Sequence, residues 1–435
     1  MKLYVYENNF SPFLWRGAGV RYKCMPEKLH NDWRNTVIFA LMIIMMAALF
    51  FSRALLSISM AAFILVCLFH SGIKKQITQF FASPLLWGMS LLFFLPLLSG
   101  LWSNDKEEWS MIVLIKLPLA ALPLAFAGPS NFSKRQWNRL AFAFIILVTA
   151  GTIWSMFHYV SDATAINEQY LKAKTLITPL KNDHVRFSWL VSVAILLAAW
   201  LFRSNIRENR KLSWMLAITA VWLVLFLHLL AARTGLLFFY MMLAGTLIWL
   251  LVKKVKAVYS IALFIFLLAI PLLAYKALPS FQNRVKYFLY EFEYFKKTHY
   301  LPGANDAVRI ISIKAGWGIM QQQPLTGVGF GDIIGSSKKW YAVNYPEMLE
   351  TDKIYPASEW ILYGAGCGVP GFLIFALVMI IPFFIKTKDQ LLWLLLNSTA
   401  AFSLLFDPGL EVQFGVFIYS FPVLWFYKWL LPEKP

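Results

Sequence analysis

The chain has 435 residues, of which 59% are hydrophobic and only 14% are charged, and its mean hydropathy is +0.61. That composition is too apolar for a soluble globular protein, in which about 25% of residues are charged. The formal net charge of +18 would suit nucleic-acid binding, but the basic residues fall in short segments between long apolar stretches. We therefore expect an all-α, polytopic membrane protein with no nucleic-acid partner.

Twelve apolar stretches have lengths close to the roughly 20 residues that a helix needs to cross a bilayer. These predicted spans are 36–52, 54–71, 85–102, 110–128, 140–160, 187–203, 213–232, 234–252, 257–275, 362–385, 390–406 and 412–430. They divide the chain into a polar segment 1–35, spans one to nine within 36–275, a loop domain 276–356, spans ten to twelve within 357–430, and a tail 431–435. Segment 1–35 has no apolar stretch of its own, so no cleavable signal peptide is expected.

Basic residues cluster in alternate connections between the spans. Those of one side include Arg16, Arg21, Lys74, Lys75, Lys134, Arg135, Arg203, Arg207, Lys253, Lys254, Lys386, Lys388 and Lys428. The short connections of the other side carry mostly acids, namely Asp105, Glu107, Glu108, Asp162, Asp407 and Glu411. This positive-inside pattern predicts that both termini are cytoplasmic and that 276–356 faces the periplasm or exterior. The basic excess is thus a topology signal, and membrane lipids are the expected surroundings.

The loop domain 276–356 is the one long polar stretch of the chain. Its segment 287–300 combines aromatic residues with Glu and Lys, which suits a helix in the membrane interface. A second helix is predicted from about residue 305 to Met320, and the glycine-rich run PLTGVGFGD follows from Pro324. Polar chemistry concentrated on one side of a membrane protein makes this domain the first place to look for function.

Three motifs, in order, resemble the bacterial O-antigen ligase and polymerase superfamily. Arg309, Trp317 and the run 324–331 are similar to the signature R-x-x-x-x-x-x-x-W…P-L-x-G-x-G-x-G. The segment 232–235 (ARTG) is similar to the family's S-R-G or T-R-G element, and 358–371 (SEW…GVPG) to its H-[NS]-E-[YW]-L…G-x-x-G motif. Twelve spans with a large outside loop between the ninth and tenth also agree with the family.

One position departs from the family pattern. Counting back from Gly368 places the family's histidine at residue 357, where this chain has Ala357 between the matching Pro356 and Ser358. Either this homologue works without that base, or the histidine was deliberately replaced. The resemblance makes position 357 part of the expected catalytic site in both cases.

The resemblance implies an inverting glycosyltransferase that uses undecaprenyl-diphosphate-linked glycan as donor. For a ligase the acceptor is a hydroxyl of lipid A–core on the periplasmic face of the inner membrane, in lipopolysaccharide biosynthesis. The leaving group is a diphosphate, which arginine suits because its planar fork donates two parallel hydrogen bonds to phosphate oxygens. A base on the acceptor hydroxyl would contribute about 10²–10⁴-fold. No metal cluster or cofactor motif is visible, so we expect fixed cations to supply the electrostatic stabilisation. The three cysteines (Cys24, Cys67 and Cys367) form no spacing motif.

Three arginines are candidates for the donor diphosphate, each with a simpler alternative. Arg186 lies where the sixth span meets the outside, and either binds diphosphate or reaches lipid headgroups. Arg233 lies between two spans with almost no loop, and either binds the donor, as the T-R-G match favours, or is a loop charge. Arg309 opens the signature helix, and either contacts the ligand or forms a salt bridge, with Asp306 or Glu350 as partner.

Lys116 lies inside the fourth span, where a charge costs roughly 2.5–3.5 kcal/mol at the bilayer centre. It either faces the bundle and reaches the carrier's diphosphate or extends to the outer interface. Asp183, His184 and Glu359 are the nearby groups that could replace a missing base, although His184 is favoured as an ordinary loop histidine.

Two alternatives to a ligase follow from the same sequence. An O-antigen polymerase would share donor, motifs and loop, and would differ only in taking another carrier-linked glycan as acceptor. A lipid-linked glycan flippase or transporter would be expected to show two related halves, and the sequence has no internal repeat.

Overall fold

The computed structural model describes residues 33–130, 132–172, 174–180, 183–298 and 300–431. Throughout these ranges the regular elements are seventeen α-helices and four short 3₁₀ turns, which confirms the predicted all-α fold. The predicted segment 1–35 up to residue 32, including Cys24 and its basic residues, and the tail beyond residue 431 lie outside the described residues.

The helices fall into three groups along the chain. Eleven come first: α1 (Trp33–Phe51), α2 (Arg53–Leu68), α3 (Ile73–Phe81), α4 (Pro84–Ser99), α5 (Lys106–Phe126), α6 (Lys134–Ser161), α7 (Ala163–Gln169), α8 (His184–Asn205), α9 (Arg210–Leu230), α10 (Arg233–Val252) and α11 (Ala257–Ala277). The segment 278–358, which we call the cap, contains α12 (Pro279–Thr298), α13 (Asn305–Gln322) and α14 (Ile333–Asn344). The last group is α15 (Glu359–Ile380), α16 (Gln390–Phe406) and α17 (Gln413–Leu430).

Each of the twelve predicted spans coincides with one of these helices, but fewer meet both the length and the hydropathy of a membrane span. Among the described residues eight helices do so, or nine if α2 and α3, bent by 106° at their break, form one span. The other helices at predicted spans are shorter or less apolar; α4 has 16 residues and α16 has 17. The chain is therefore a multi-pass membrane protein, and the predicted count of twelve is higher than length and composition support.

Two very apolar helices, α8 and α11, differ in how much of their surface the rest of the protein buries. Helix α8 is buried on nearly all sides because α6, α9, α10, α16 and α17 surround it. Helix α11 is the opposite case: it buries only Ser260 and Ala274, while apolar side chains such as Phe264 and Leu272 are exposed. A helix whose apolar side chains are exposed along its whole length is stable in lipid, so we expect α11 to face the bilayer.

The cap occupies one end of the bundle, which we call the cap end. The connections α4–α5, α6–α8 and α16–α17 contact the cap through hydrogen bonds. Described basic loops contact one another instead: Lys134 and Glu208 line one pocket, and Arg203 pairs with Asp389. The cap has a small core of its own that includes Tyr300, Ile311, Tyr341 and Met348. The positive-inside argument for which end is periplasmic stays a prediction.

The glycine-rich run of the cap is bound into a break in α15. The helix breaks at Cys367 and Gly368, where Gly368 has φ +68°. Pro370 has no N–H to offer to the carbonyl of residue 366, and the N–H of Gly329 donates to that carbonyl instead, at 3.0 Å. The N–H of Val328 likewise donates to the carbonyl of residue 365, at 2.9 Å. Two motifs that are separate in the sequence thus form one structural unit that fixes the cap on the bundle.

Candidate functional site

One face of α13 contacts two of the residues that the sequence singled out. Asp306, Arg309 and Ser312 follow each other at three-residue spacing, so their side chains lie on the same side of the helix. Asp306 forms an ion pair with Arg233, and the Ser312 hydroxyl accepts a hydrogen bond from the backbone N–H of Ala357 at 3.0 Å. Ala357 is buried, with 2% of its surface exposed. The signature helix therefore joins the T-R-G element to the position where the family has its histidine.

Arg309 lies between these two contacts and donates from Nη1 to the carbonyl of Phe406 at 3.3 Å. The salt bridges considered for it are not formed, because Asp306 pairs with Arg233 and Glu350 pairs with Lys353. A backbone carbonyl is a weaker partner for a guanidinium than a carboxylate is. Arg309 is half-buried and keeps donors available for a ligand.

Residues 406–411 run from the last residue of α16 into its connection to α17 and link the remaining candidates, and we call them the 406–411 turn. The carbonyl of Phe406, its first residue, accepts from Arg309. The carboxylate of Asp407 lies 3.3 Å from Nη2 of Arg186. The carbonyl of Pro408 accepts from the same nitrogen at 3.2 Å. The acids of this turn were predicted only as markers of membrane side, so its role in connecting the site was missed.

Arg186 is held in the first turn of α8 by carboxylates on both sides. Asp183 caps the helix by accepting from the N–H of Arg186 at 3.1 Å and also forms an ion pair with its guanidinium. His184 is the first residue of α8 and is half-buried. Burial raises the pKa of Asp407 against the lowering effect of Arg186. With 8% of its surface exposed, Arg186 is placed to brace the 406–411 turn rather than to meet lipid headgroups.

Lys116 and Glu359, two further candidates, form a buried ion pair. The Lys116 ammonium lies 2.9 Å from one oxygen of Glu359, 2.6 Å from Glu411 and 3.2 Å from the carbonyl of Leu410. The other oxygen of Glu359 accepts from the N–H of Leu410 at 3.1 Å. Lys116 and Glu359 have no exposed surface. Three acceptors match the three protons of an ammonium, so this arrangement argues against Lys116 as a diphosphate ligand and against Glu359 as a base in direct contact with the acceptor.

Arg233 lies at the start of α10 and pairs with a second buried carboxylate, in α12. Its Nη2 is 2.7 Å from Glu291, which is 3% exposed and also accepts from Tyr287 at 3.1 Å. The guanidinium of Arg233 lies 5.1 Å from the ring centre of Phe288. Tyr287 and Phe288 belong to the predicted aromatic helix, so that helix does form and it contacts a site residue.

A second arginine of α12, Arg284, was not predicted and has the most unusual surroundings of the group. It is 6% exposed, and its Nε and Nη1 have no hydrogen-bond partner among the described residues. Burial and the neighbouring Arg233 lower its pKa to about 10. In the sequence its neighbours on one helix face are Phe281 and Phe288, so a charge on an apolar helical face was the signal that could have identified it.

Arg284 and Arg233 line a groove between α10 and α12 with a volume of about 350 Å³. The rest of its lining is apolar and aromatic, with Leu236, Tyr240 and Phe281 among the contributors. Two guanidinium groups at an apolar groove match an anionic headgroup that carries a long hydrocarbon chain. Among the described residues no group of three or more His, Cys, Asp or Glu side chains could hold a metal ion, and metal-independent transfer stays a prediction.

Comparison with known families agrees with the motifs. Residues 218–376 match the family model described as O-antigen ligase. No curated protein matches the chain significantly. The matched region runs from α9 into α15 and contains Arg233, Arg284, the whole cap and position 357, whereas Lys116, Arg186 and the 406–411 turn lie outside it. The match confirms the predicted resemblance to the O-antigen ligase superfamily over residues 218–376, and it gives the chain a ligase or polymerase type of function in O-antigen processing.

Proposed function

We propose that this protein is an O-antigen ligase of the bacterial inner membrane, with both termini cytoplasmic and the cap in the periplasm. It transfers glycan from undecaprenyl diphosphate to a hydroxyl of lipid A–core. The family match supports the class of reaction, and the distribution of basic loops supports the orientation. The family match supports a ligase and a polymerase equally, and that this protein is a ligase is our proposal.

The observation that carries the proposal is the buried guanidinium of Arg284, which lines the same groove as Arg233. Its Nε and Nη1 have no hydrogen-bond partner among the described residues, and the guanidinium lies 5.9 Å from the ring centre of Tyr287. A buried cation without a counter-anion costs free energy, and a bound anion would remove that cost. The groove offers both parts of the donor a suitable surface, because its apolar walls fit the polyprenyl chain and its arginines fit the diphosphate. The donor would enter sideways from the lipid, since the groove lies between two helices rather than along the bundle axis.

The reaction needs one bond to form and one to break. The acceptor hydroxyl oxygen attacks the anomeric carbon, the bond from that carbon to the diphosphate oxygen breaks, and undecaprenyl diphosphate leaves. Attack on the face opposite the leaving group inverts the anomeric centre. The hydroxyl proton passes to a base, for which the family resemblance points to position 357. Ala357 supplies none, and the carboxylates considered as substitutes are occupied by Arg186 and Lys116. In this chain the proton would therefore pass to water, and a histidine at position 357 would accept it directly.

The other candidates are assigned supporting roles in this proposal. Arg309 faces the same side of α13 as Asp306, and we assign it to the diphosphate or to the transferred glycan. Arg186 and Lys116 hold the 406–411 turn and the start of α15, which sets the position of residue 357. Their effect on transfer would therefore be through geometry rather than through contact.

The test is glycan transfer by the purified full chain and by Ala357→His, with undecaprenyl-diphosphate glycan and lipid A–core supplied together. The proposal predicts that the histidine form modifies lipid A–core at least about 10²-fold faster, the lower end of what a base contributes. Equal activity of both forms would show that the base lies elsewhere. Lengthening of the carrier-linked glycan without modified lipid A–core would establish a polymerase, and transport of unmodified glycan would establish a flippase.

Arg284→Ala in the Ala357→His background separates donor binding from the base. We expect a raised KM for the donor, because the variant removes a cation without touching position 357. Lys286→Ala is the matched control, since Lys286 is an exposed cation of the same helix two residues away. Equal KM values in the two variants would contradict the role of the groove.

A further inference from the structure

A second, polar pocket lies at the cap end, beside the glycine-rich run. Its volume is about 360 Å³, within the roughly 300–1,000 Å³ range of ligand pockets. Its walls come from the α4–α5 connection, the glycine-rich run and α14. It shares no lining residue with the groove of Arg233 and Arg284.

Asn104, Thr326 and Asp332 of this pocket form hydrogen bonds within the fold, but three of its other polar side chains do not. The side chains of Gln323, Ser336 and Lys339 make no hydrogen bond or ion pair with another described residue. Trp102 forms part of the wall and is 38% exposed. An amide, a hydroxyl, an ammonium and an indole therefore face one concavity without being used by the fold.

The walls that carry these groups are held rigidly. The carboxylate of Asp332 accepts from the N–H groups of Asn104 and Asp105, at 2.6 and 3.2 Å, which ties α14 to the α4–α5 connection. A Cβ at Gly329 would lie 2.2 Å from the Ser103 hydroxyl, and one at Gly327 would lie 2.5 Å from the carbonyl of Ala365. Close backbone packing on both sides fixes the pocket before any ligand arrives, which favours specific binding.

The chemistry of the pocket selects one class of ligand. A lipid tail would need an apolar lining, which the groove of α10 and α12 has and this pocket lacks. An anion would need more positive charge than Lys339 supplies beside Asp332. A sugar fits, because its hydroxyls both donate and accept, as amide and hydroxyl side chains do, and its C–H face packs on an indole.

We propose that this pocket is a carbohydrate subsite that holds a sugar of the glycan substrates while transfer takes place elsewhere in the site. The proposal rests on the proposed function, because it takes the ligand to be a glycan handled by the same site. It adds Trp102, Gln323, Ser336 and Lys339 as specificity-determining residues that no motif indicated. Holding a sugar away from the reacting carbon would orient the chain of sugars and reduce the entropy lost on reaching the transition state.

The experiment measures binding of two probes to the purified full chain by saturation-transfer NMR and calorimetric titration. One probe is O-antigen oligosaccharide released from its lipid carrier, and the other is core oligosaccharide freed of lipid A. Trp102→Ala and Lys339→Ala are compared with the wild type. Lys338→Ala is the matched control, because Lys338 is the exposed neighbour of Lys339 in α14 and does not line the pocket.

We expect the wild type to bind one probe and Trp102→Ala to bind it about tenfold more weakly. Lys339→Ala should weaken binding less, and Lys338→Ala should leave it unchanged. Whichever probe binds identifies the source of the sugar, donor glycan or acceptor core. Wild-type protein that binds neither probe, or binding that both pocket variants leave unchanged, would overturn the proposal. Because free sugars are bound without transfer, a failed transfer reaction would not be mistaken for a failed subsite.

Discussion

The ammonium of Lys116 and the carboxylate of Glu359 form a salt bridge of 2.9 Å between fully buried side chains that are 243 residues apart in the sequence. Glu411 shares the same ammonium at 2.6 Å. The three groups tie α5, α15 and the 406–411 turn together at a single point. Charge buried in this way restricts geometry more than it adds stability, since desolvation offsets much of the attraction.

The first prediction concerns removal of one member of this group. Lys116→Met leaves the buried carboxylate of Glu359 and the half-buried carboxylate of Glu411 without this cation, and we expect the free energy of unfolding to fall by about 3–5 kcal/mol. The double variant Lys116→Met with Glu359→Gln should recover part of that loss, because one uncompensated charge is removed. Thermal unfolding in detergent, followed by tryptophan fluorescence, measures both. A double variant less stable than the single one would contradict this account, and Lys74→Met, which changes an exposed lysine of α3, is the control.

The second prediction tests the close packing of the glycine-rich run against the backbone of α15 at its break. Gly327 has φ +64°, and a Cβ there would lie 2.5 Å from the carbonyl of Ala365. Gly327→Ala should therefore lower stability by about 1–3 kcal/mol. Gly335→Ala is the control: a Cβ there meets nothing within 4 Å and Gly335 lies inside α14, so it should be neutral or slightly stabilising. Equal stability of the two variants in the same unfolding assay would show that the run is not fixed as described.

The third prediction concerns the small core of the cap. Asp352 is 8% exposed and accepts from the hydroxyl of Tyr300 at 2.8 Å and from the N–H of Gly303 at 2.9 Å. Asp352→Ala removes the acceptor of both hydrogen bonds, and the loss at the buried Tyr300 hydroxyl costs about 1–3 kcal/mol. Hydrogen exchange at residues 300–303 should become faster while that of the spans does not change. Glu350→Ala, which removes an exposed acid two residues away, should leave exchange unaltered, and a similar effect of both variants would count against the role of Asp352.

The all-α fold could be predicted from the sequence because a helix that crosses a membrane needs a long apolar stretch. Apolar length identified twelve of the fourteen helices outside the cap, all except α3 and α7, although it overestimated how many are full spans. The arginines at positions 186, 233 and 309 were predicted from motifs and helix ends, and the structure connects all three through α13 and the 406–411 turn. Arg284 and Glu411 were missed as site residues because their significance lies in contacts between distant segments. No local pattern shows that a carboxylate 295 residues away will share the ammonium of Lys116.

The last prediction uses the sign of a charge to test anion binding in the groove of Arg233 and Arg284. Glu291 is 3% exposed and lies 2.7 Å from Arg233, so it competes with any anion for that guanidinium. Glu291→Gln keeps the shape of the side chain and removes the competing charge. If the groove binds diphosphate, the variant should bind undecaprenyl diphosphate on the order of tenfold more tightly, although loss of a buried ion pair lowers its stability.

Glu293→Gln provides the matched control, because Glu293 is an exposed acid on the same helix and forms no ion pair among the described residues. Both variants change the net charge of the protein equally, so a general electrostatic effect would appear in both. Tighter binding confined to Glu291→Gln, together with weaker binding by Arg284→Ala, would locate the anion between the two arginines. Weaker binding by Glu291→Gln would mean instead that the carboxylate positions Arg233 for its ligand. A change of the same size in both variants would remove the groove as the diphosphate site, because the effect would then follow from charge alone.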